Sequence, residues 1–300
     1  MVASGTFGYA REMAGLVDLS RLGGILPKTI TRKARAGNAP WRTVETTGGM
    51  LNSIGLDNDG IESFIAGHLP YLASLGSPII VSIAGSNYEE FVEMSVMLDE
   101  QPGIAALELN VSCPNVSHGV DFGTDPAMCQ KVVAGVRKAC SLPILAKLTP
   151  NVADLPRIGQ AAEAGGADAI SLINTCLGMA VDWPRQRPVL GNVMGGLSGP
   201  AIKPIALRAV YQVAKAVTVP VVGIGGIATI DDCMEFLVAG ASAVQIGTAN
   251  FYNPTVSIKL LEALPAALKE LGAQAIADVV GSLRSPQPAP VVVMPSVASR

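Results

Sequence analysis

Charge is scarce in this 300-residue chain: Asp, Glu, Lys and Arg together make up 15% of it. The formal net charge of −3 leaves no basic footprint, which argues against nucleic acid as a partner. Aromatic residues are scarcer still at 4%, so a core must be built from Val, Ile, Leu and Ala. No apolar run reaches the roughly 18 residues of a membrane span, and no basic segment followed by a signal-type apolar stretch stands at the N-terminus. No membrane association is therefore expected, and the cytoplasm is the default location. The five cysteines (Cys113, Cys129, Cys140, Cys176 and Cys233) are odd in number and lack C-x-x-C spacing. That favours free thiols over a disulfide framework or a self-contained metal cluster, and no metal site is expected.

What the chain does contain is apolar residue, at 49%, and many turn formers, with 32 glycines and 21 prolines. Such a composition suits a parallel sheet covered on both faces, whose strands are near-continuous apolar runs. Runs of this kind alternate with helical patterns along the chain. The strand readings are Met1–Gly5, Gly24–Leu26, Pro78–Ile83, Ile104 into Asn110, Pro143–Leu148, Ala169–Ile173, Val219–Ile224 and Ala243–Ile246. Helices are expected at Gly60–Leu75, Tyr88–Leu98, from Asp125-Pro126 onward, Asp154–Ala164, Ile202–Val217 and Ile230–Ala239. Asp125 reads as an N-cap with Pro126 at N1, and Thr229 with Asp232 as a capping box. Eight βα units in about 250 residues predict one (β/α)8 TIM barrel over residues 1–284, with 285–300 a flexible tail. Two connections, Ile30 to Asp59 and Cys176 to Gly199, are too long for ordinary βα loops and read as functional.

In such a barrel the carboxyl ends of all strands open on one face, where chemistry is placed. Ser4, Lys28, Thr29, Ser82, Asn110, Lys147, Ile173, Asn174, Thr175, Gly225, Gly226, Gly247 and Thr248 stand at those ends. Asn52, Ser53, Ile54, Gly55, Leu56 and Gly199 sit on the long connections. The glycines after the seventh and eighth strands occupy the usual phosphate position of this fold, where backbone N–H groups and a helix N-terminus cradle an anion; the alternative is that they only make tight turns. Asn52, Asn110, Asn115 and Asn174 could together hold a planar ring bearing amide and carboxylate groups. Lys28 and Lys147 end apolar strands, where a lysine needs an anionic partner unless its head reaches water.

The densest chemistry lies in Asn110-Val-Ser-Cys-Pro-Asn115, which follows an apolar strand. A thiol has an ordinary pKa of about 8.5, close enough to neutrality to act as a base. Cys113 is therefore a candidate base, and His118 in the same loop is read as exposed.

These motifs resemble a known family. Asn-Val-Ser-Cys-Pro-Asn, Phe122-Gly-Thr-Asp-Pro126, Asn52-Ser-Ile-Gly-Leu56, Gly195-Gly-Leu-Ser-Gly-Pro-Ala-Ile-Lys-Pro204 and Gly247-Thr-Ala-Asn-Phe251 are similar to the class 1 dihydroorotate dehydrogenases. The wording around Asn115–Pro126 is closest to the class 1B, NAD-linked catalytic subunit. The resemblance implies an FMN-containing barrel that oxidises dihydroorotate to orotate in pyrimidine (UMP) synthesis. Cys113 would take the C5 proton while the C6 hydride leaves for flavin N5. Orotate would lie against Lys28, Asn52, Ser53, Ile54, Gly55, Leu56, Asn110, Asn174 and Thr175. FMN would contact Ser4, Lys28, Thr29, Asn110, Lys147, Ile173, Gly199, Gly225, Gly226, Gly247 and Thr248. A homodimer is implied, joined by a subunit carrying FAD and an iron–sulfur cluster into a heterotetramer that passes electrons to NAD.

The chain departs from the family pattern in two places. The family has about fifteen further residues before Val2, forming a hairpin and the start of the first strand, whereas Met1 here stands almost at the Ala-Ser-Gly motif. Ser82 stands where class 1B members usually carry asparagine near the flavin. Two other readings compete: a dihydropyrimidine-oxidising flavin barrel with the same cysteine loop, and a flavin-free phosphate-binding lyase or isomerase.

Overall fold

The structure is a computed structural model that describes residues 1–112 and 122–284. In chain order its strands are β1 (Thr43–Thr46), β2 (Gly49–Asn52), β3 (Ile80–Ile83), β4 (Ala106–Asn110), β5 (Ile144–Leu148), β6 (Ala169–Leu172), β7 (Cys176–Met179), β8 (Val181–Asp182), β9 (Arg187–Pro188), β10 (Met194–Ser198), β11 (Val221–Ile224) and β12 (Ala243–Gln245). The helices are α1 (Gly60–Ser63), α2 (Leu69–Ala73), α3 (Tyr88–Asp99), α4 (Pro126–Ala139), α5 (Leu155–Ala164), α6 (Lys203–Ala214), α7 (Ile230–Ala239), α8 (Ala249–Tyr252) and α9 (Val256–Glu270).

Six strands form a parallel sheet in the order β12-β11-β6-β5-β4-β3. The first two strands expected from the sequence are reduced to single bridges, at Val2 and Ile25. Those bridges close the sheet on itself: Ile25 pairs with Ile79, and Val2 pairs with both Ile25 and Ile246, all parallel. The N–H of Ala3 donates to Ile246 O at 2.8 Å and the N–H of Ile246 to Met1 O at 2.9 Å. The result is the (β/α)8 barrel, with two of its eight positions too short to count as strands because only one residue in each pairs on both sides.

Alternation along each strand sorts the residues into two cores. Outward-facing residues such as Val81, Leu107, Leu109, Ala146, Leu148 and Ile170 join the apolar faces of the helices in the main core. Inside the barrel a second cluster takes one residue from each position: Met1, Leu26, Ile80, Ala106, Leu145, Ala169, Val222 and Ala243. This is an apolar plug at the amino end. Two residues further along every position come Ala3, Lys28, Ser82, Glu108, Lys147, Ser171, Ile224 and Gln245. The interior thus turns from apolar to polar in one step of the pleat, and that polar tier underlies the site.

The expected caps are present. The Asp125 side chain accepts from the N–H of Met128 with Pro126 in the first turn, and Thr229 with Asp232 forms the capping box of α7. The expected single helix over Gly60–Leu75 is instead α1, a π turn at Phe64–His68, and α2. Pro70 explains the interruption: it has no N–H to donate back, and its ring crowds the preceding turn, which widens to accommodate it. The two long connections are also more ordered than loops. They contribute a four-stranded antiparallel sheet, β1-β2-β10-β7, with Gly196 paired to Asn52 and to Leu177. No helix among the described residues is long and apolar enough to cross a membrane.

Leu26 is fully buried in the plug. Leu26→Ala is expected to lower the unfolding free energy by about 2–5 kcal/mol, whereas the same change at Leu16, which is 58% exposed, should stay within about 0.5 kcal/mol. Denaturant titration of the two variants checks this, and equal losses would show that the plug is not packed as described.

Candidate functional site

The carboxyl ends of the parallel strands open into one cavity of about 940 Å³, at the upper end of the range for small-molecule sites. Ser4, Lys28, Thr29, Asn110, Lys147, Ile173, Asn174, Thr175, Gly225, Gly226, Gly247 and Thr248 line it from the barrel. Asn52, Ser53, Ile54, Gly55, Leu56 and Gly199 line it from the long connections. The structure therefore brings these residues to one cavity. Cys113, Asn115 and His118 lie outside the described residues.

Local chemistry explains how each wall is held. The antiparallel sheet carries Asn52, Gly195, Gly196 and Ser198 over the opening. Glycine is required at 196, because a Cβ there would overlap the Thr175 side chain. The turn Asn52–Leu56 is shaped by two consecutive left-handed residues, Gly55 at φ 78° and Leu56 at φ 57°. A neighbouring guanidinium supports it. Arg42 donates to Asn38 O at 2.6 Å, to Ala36 O at 2.7 Å and to Asp57 Oδ2 at 2.8 Å, while Asn38 Nδ2 donates to Ser53 O at 3.0 Å. Opposite this turn, Asn174 Nδ2 donates to Asn110 Oδ1 at 3.2 Å, so two carboxamides present a joined surface. The Ser53 hydroxyl is buried and, among the described residues, makes no hydrogen bond.

The floor is the polar tier. Glu108 is fully buried, and its carboxylate accepts from Lys147 Nζ at 3.3 Å, Ser171 Oγ at 3.0 Å and Gln245 Nε2 at 2.9 Å. A second chain of hydroxyls runs from Ser4 Oγ to Thr29 Oγ1 at 2.6 Å and on to Ser82 Oγ at 2.9 Å. Ser82, near the end of its strand as expected, is sealed beneath Thr29 with its hydroxyl satisfied.

The glycine turns after β11 and β12 are walls of the same cavity. Gly225 and Gly226 have φ of 137° and 72°, and Gly199 across from them has φ of 95°. Thr248 Oγ1 donates to Ser198 Oγ at 2.8 Å and ties the last turn to the antiparallel sheet. The turn that leads from β11 into α7 carries its own cap. The N–H groups of Ala228 and Thr229 donate to Asp232 Oδ2 at 2.9 and 2.8 Å, and Lys203 Nζ to Asp232 Oδ1 at 2.6 Å. The N–H groups of Ala228 and Thr229 therefore face Asp232, while the glycine turns and the start of α8, which directly follows Thr248, line the cavity. Burial works against the Asp232 charge, but the Lys203 ammonium and the donors at Ala228 and Thr229 hold its carboxyl below the ordinary range.

Several residues in and beneath the cavity escaped the sequence reading. Thr149 and Asn151 line the cavity just beyond Lys147, and their polar character after an apolar strand was the available signal. Glu108, Ser171 and Gln245 are interior polar residues that strict alternation from Ala106, Ala169 and Ala243 places in the tier. Burial pushes three of the described thiols up, Cys129 to about 12 and Cys140 and Cys233 to about 11. They are buried core thiols, as expected for most of the cysteines, whereas Cys176 is half-buried.

Comparison with known proteins agrees with this geometry. The family model for dihydroorotate dehydrogenase matches residues 1–268. Over 284 residues, 94% of this chain and 93% of the relative, the chain is 52% identical to the dihydroorotate dehydrogenase B (NAD(+)) catalytic subunit of Pelobacter propionicus. Proteins of the same name from Trichlorobacter lovleyi and Geobacter sulfurreducens are 51% and 49% identical over the same shares of both chains.

The cap at Asp232 has a pH signature. A depressed carboxyl contributes stability that is full above its ordinary pKa of about 4 and is lost as the pH falls through the lower folded-state value. Asp232→Asn should therefore cost about 1 kcal/mol at pH 7, and its deficit relative to the parent should shrink on acidification below about pH 4. Denaturation curves across that range test this, and a pH-independent deficit would rule out the charged cap.

Proposed function

Because the chain belongs to the dihydroorotate dehydrogenase family, we propose that it is the catalytic subunit of an NAD-linked enzyme that oxidises dihydroorotate to orotate in pyrimidine synthesis. The observation that carries this reading is the convergence of Lys28, Lys147, Asn52, Asn110, Asn174 and the glycine turns on one cavity, in a chain matched to that family over nearly its whole length.

The cavity suits FMN. Its volume is large enough for a flavin with a small ring beside it. Lys147 offers an ammonium to the electron-rich edge of the ring system, and the turns at Gly225–Gly226 and Gly247–Thr248 offer backbone to the phosphate. Gly199, Ser4, Thr29 and Ile173 complete the wall on that side. When bound, FMN supplies the acceptor for the hydride that leaves substrate C6.

The chain's own residues do the rest. The dihydroorotate ring carries amide groups and a carboxylate. Asn52, Asn110 and Asn174 provide matched donors and acceptors for the amides. Lys28 provides the cation for the carboxylate, and the turn Ser53–Leu56 with Thr175 closes round the ring. The buried Ser53 hydroxyl, which makes no hydrogen bond among the described residues, has a partner once a polar substrate is present. Cys113 is assigned as the base that takes the C5 proton. Its thiolate forms more readily as the pH rises toward its ordinary pKa of about 8.5, so the oxidation should speed up over the same range. The relatives' name, a catalytic subunit, supports a partner. A homodimer of this chain joined by an FAD and iron–sulfur subunit would carry the electrons to NAD.

Purified protein should take up FMN, show flavin absorbance, and be bleached anaerobically by dihydroorotate but not by dihydrouracil. Absence of flavin uptake would favour a phosphate-binding lyase or isomerase, and bleaching by dihydrouracil a dihydropyrimidine-oxidising barrel. Cys113→Ala should slow bleaching by about 10²–10⁴-fold at neutral pH with FMN content unchanged. An unchanged rate would remove Cys113 from the role of base.

A further inference from the structure

The reaction assigned above uses Lys147 but gives no part to the carboxylate beside it. Glu108 does not line the cavity, whereas Lys147 does. It is fully buried and divides its two oxygens between different duties. Oε1 accepts from the Lys147 ammonium at 3.3 Å. Oε2 accepts from Ser171 on β6 at 3.0 Å and from Gln245 on β12 at 2.9 Å. Gln245 makes this bond at a cost, because its own Oε1 is buried and has no partner among the described residues. Three strands thus fix one carboxylate so that one of its oxygens faces the lysine.

Stability alone does not account for this arrangement. Replacing a buried ion pair by apolar groups of similar volume is often neutral or stabilising, and the tier beneath is already an apolar plug. What an apolar pair cannot do is hold an ammonium at one place in a cavity floor and offset its charge. Among the charged groups of the tier, Lys28 and Lys147 are cations and Glu108 is the anion. Glu108 therefore decides how much positive field the floor exerts on whatever lies above it.

We propose that Glu108 is a positioning residue that fixes the Lys147 ammonium beside the flavin and offsets part of its charge, so that the electron affinity of the bound flavin is set from β4. This rests on the flavin reading above. Reduction adds negative charge to the ring system, so an uncompensated lysine beside it favours the reduced form and a removed lysine disfavours it.

The test is the reduction potential of FMN bound to the full-length chain, titrated anaerobically against reference dyes, with FMN content measured in parallel. Glu108→Gln keeps an oxygen for Lys147 and removes only the charge. It should retain FMN and shift the potential positive by at least a tenfold change in the reduction equilibrium, about 30 mV for a two-electron couple. The double variant Glu108→Gln with Lys147→Met removes both charges. It provides the measurement if the single variant fails to fold, and it should shift the potential negative by a similar amount. Rescue by Glu108→Asp, which restores the charge at shorter reach, should return the potential part of the way to the parent value. Potentials equal to the parent's in the variants that bind FMN, or a negative shift in Glu108→Gln, would overturn the proposal and leave Glu108 a space-filling residue. A parent chain that takes up no FMN would overturn the flavin reading itself, and this proposal with it.

Discussion

Val2 pairs with Ile25 on one side and Ile246 on the other, and that double pairing turns a six-stranded sheet into a closed barrel. Closure is the constraint from which the rest follows. A closed parallel barrel buries both faces of every strand, so the inward face must be filled by side chains rather than water. At the amino end they are apolar. One pleat step higher the interior becomes largely polar, and a buried polar group there is costly unless it is hydrogen-bonded.

The Glu108 carboxylate is the clearest result of that demand. It brings β4, β5, β6 and β12 into one hydrogen-bonded group. Its removal alone would leave the Lys147 ammonium without its buried counter-charge, a class of change that costs about 3–5 kcal/mol. The same geometry places Lys147 at the cavity surface, so the residue that completes the interior also lines the cavity. The Ser4–Thr29–Ser82 hydroxyl chain serves the first three strand positions in the same way. Thr29 meets the cavity while Ser82 is consumed beneath it.

Above the floor, the site is built by the two long connections. Their pairing in one antiparallel sheet explains how positions as distant in the chain as Asn52 and Gly196 come to face one cavity. Arg42 shows why a turn rich in left-handed backbone keeps its shape: three hydrogen bonds from one guanidinium hold the segment that leads into it. The self-capped start of α7 shows a second local device, in which Asp232 holds the two N–H groups that lead into the helix.

Much of this was legible in the amino-acid order alone. Apolar runs alternating with helical stripes determined the barrel, because hydrophobic period and length are local properties. The caps at Asp125 and Thr229 were legible for the same reason, as each bonds within three residues of itself. The motifs at Asn52–Leu56, Asn110 and Gly247–Thr248 pointed to the cavity they line because polar residues cluster where apolar strands end. Tertiary structure alone decided the antiparallel sheet, the burial of Ser82 and the clasp on Glu108. The partners of Glu108 lie 39, 63 and 137 residues away. No local pattern can pair groups at such distances; only barrel closure brings their strands together and, by excluding water, obliges their polar atoms to bond to one another.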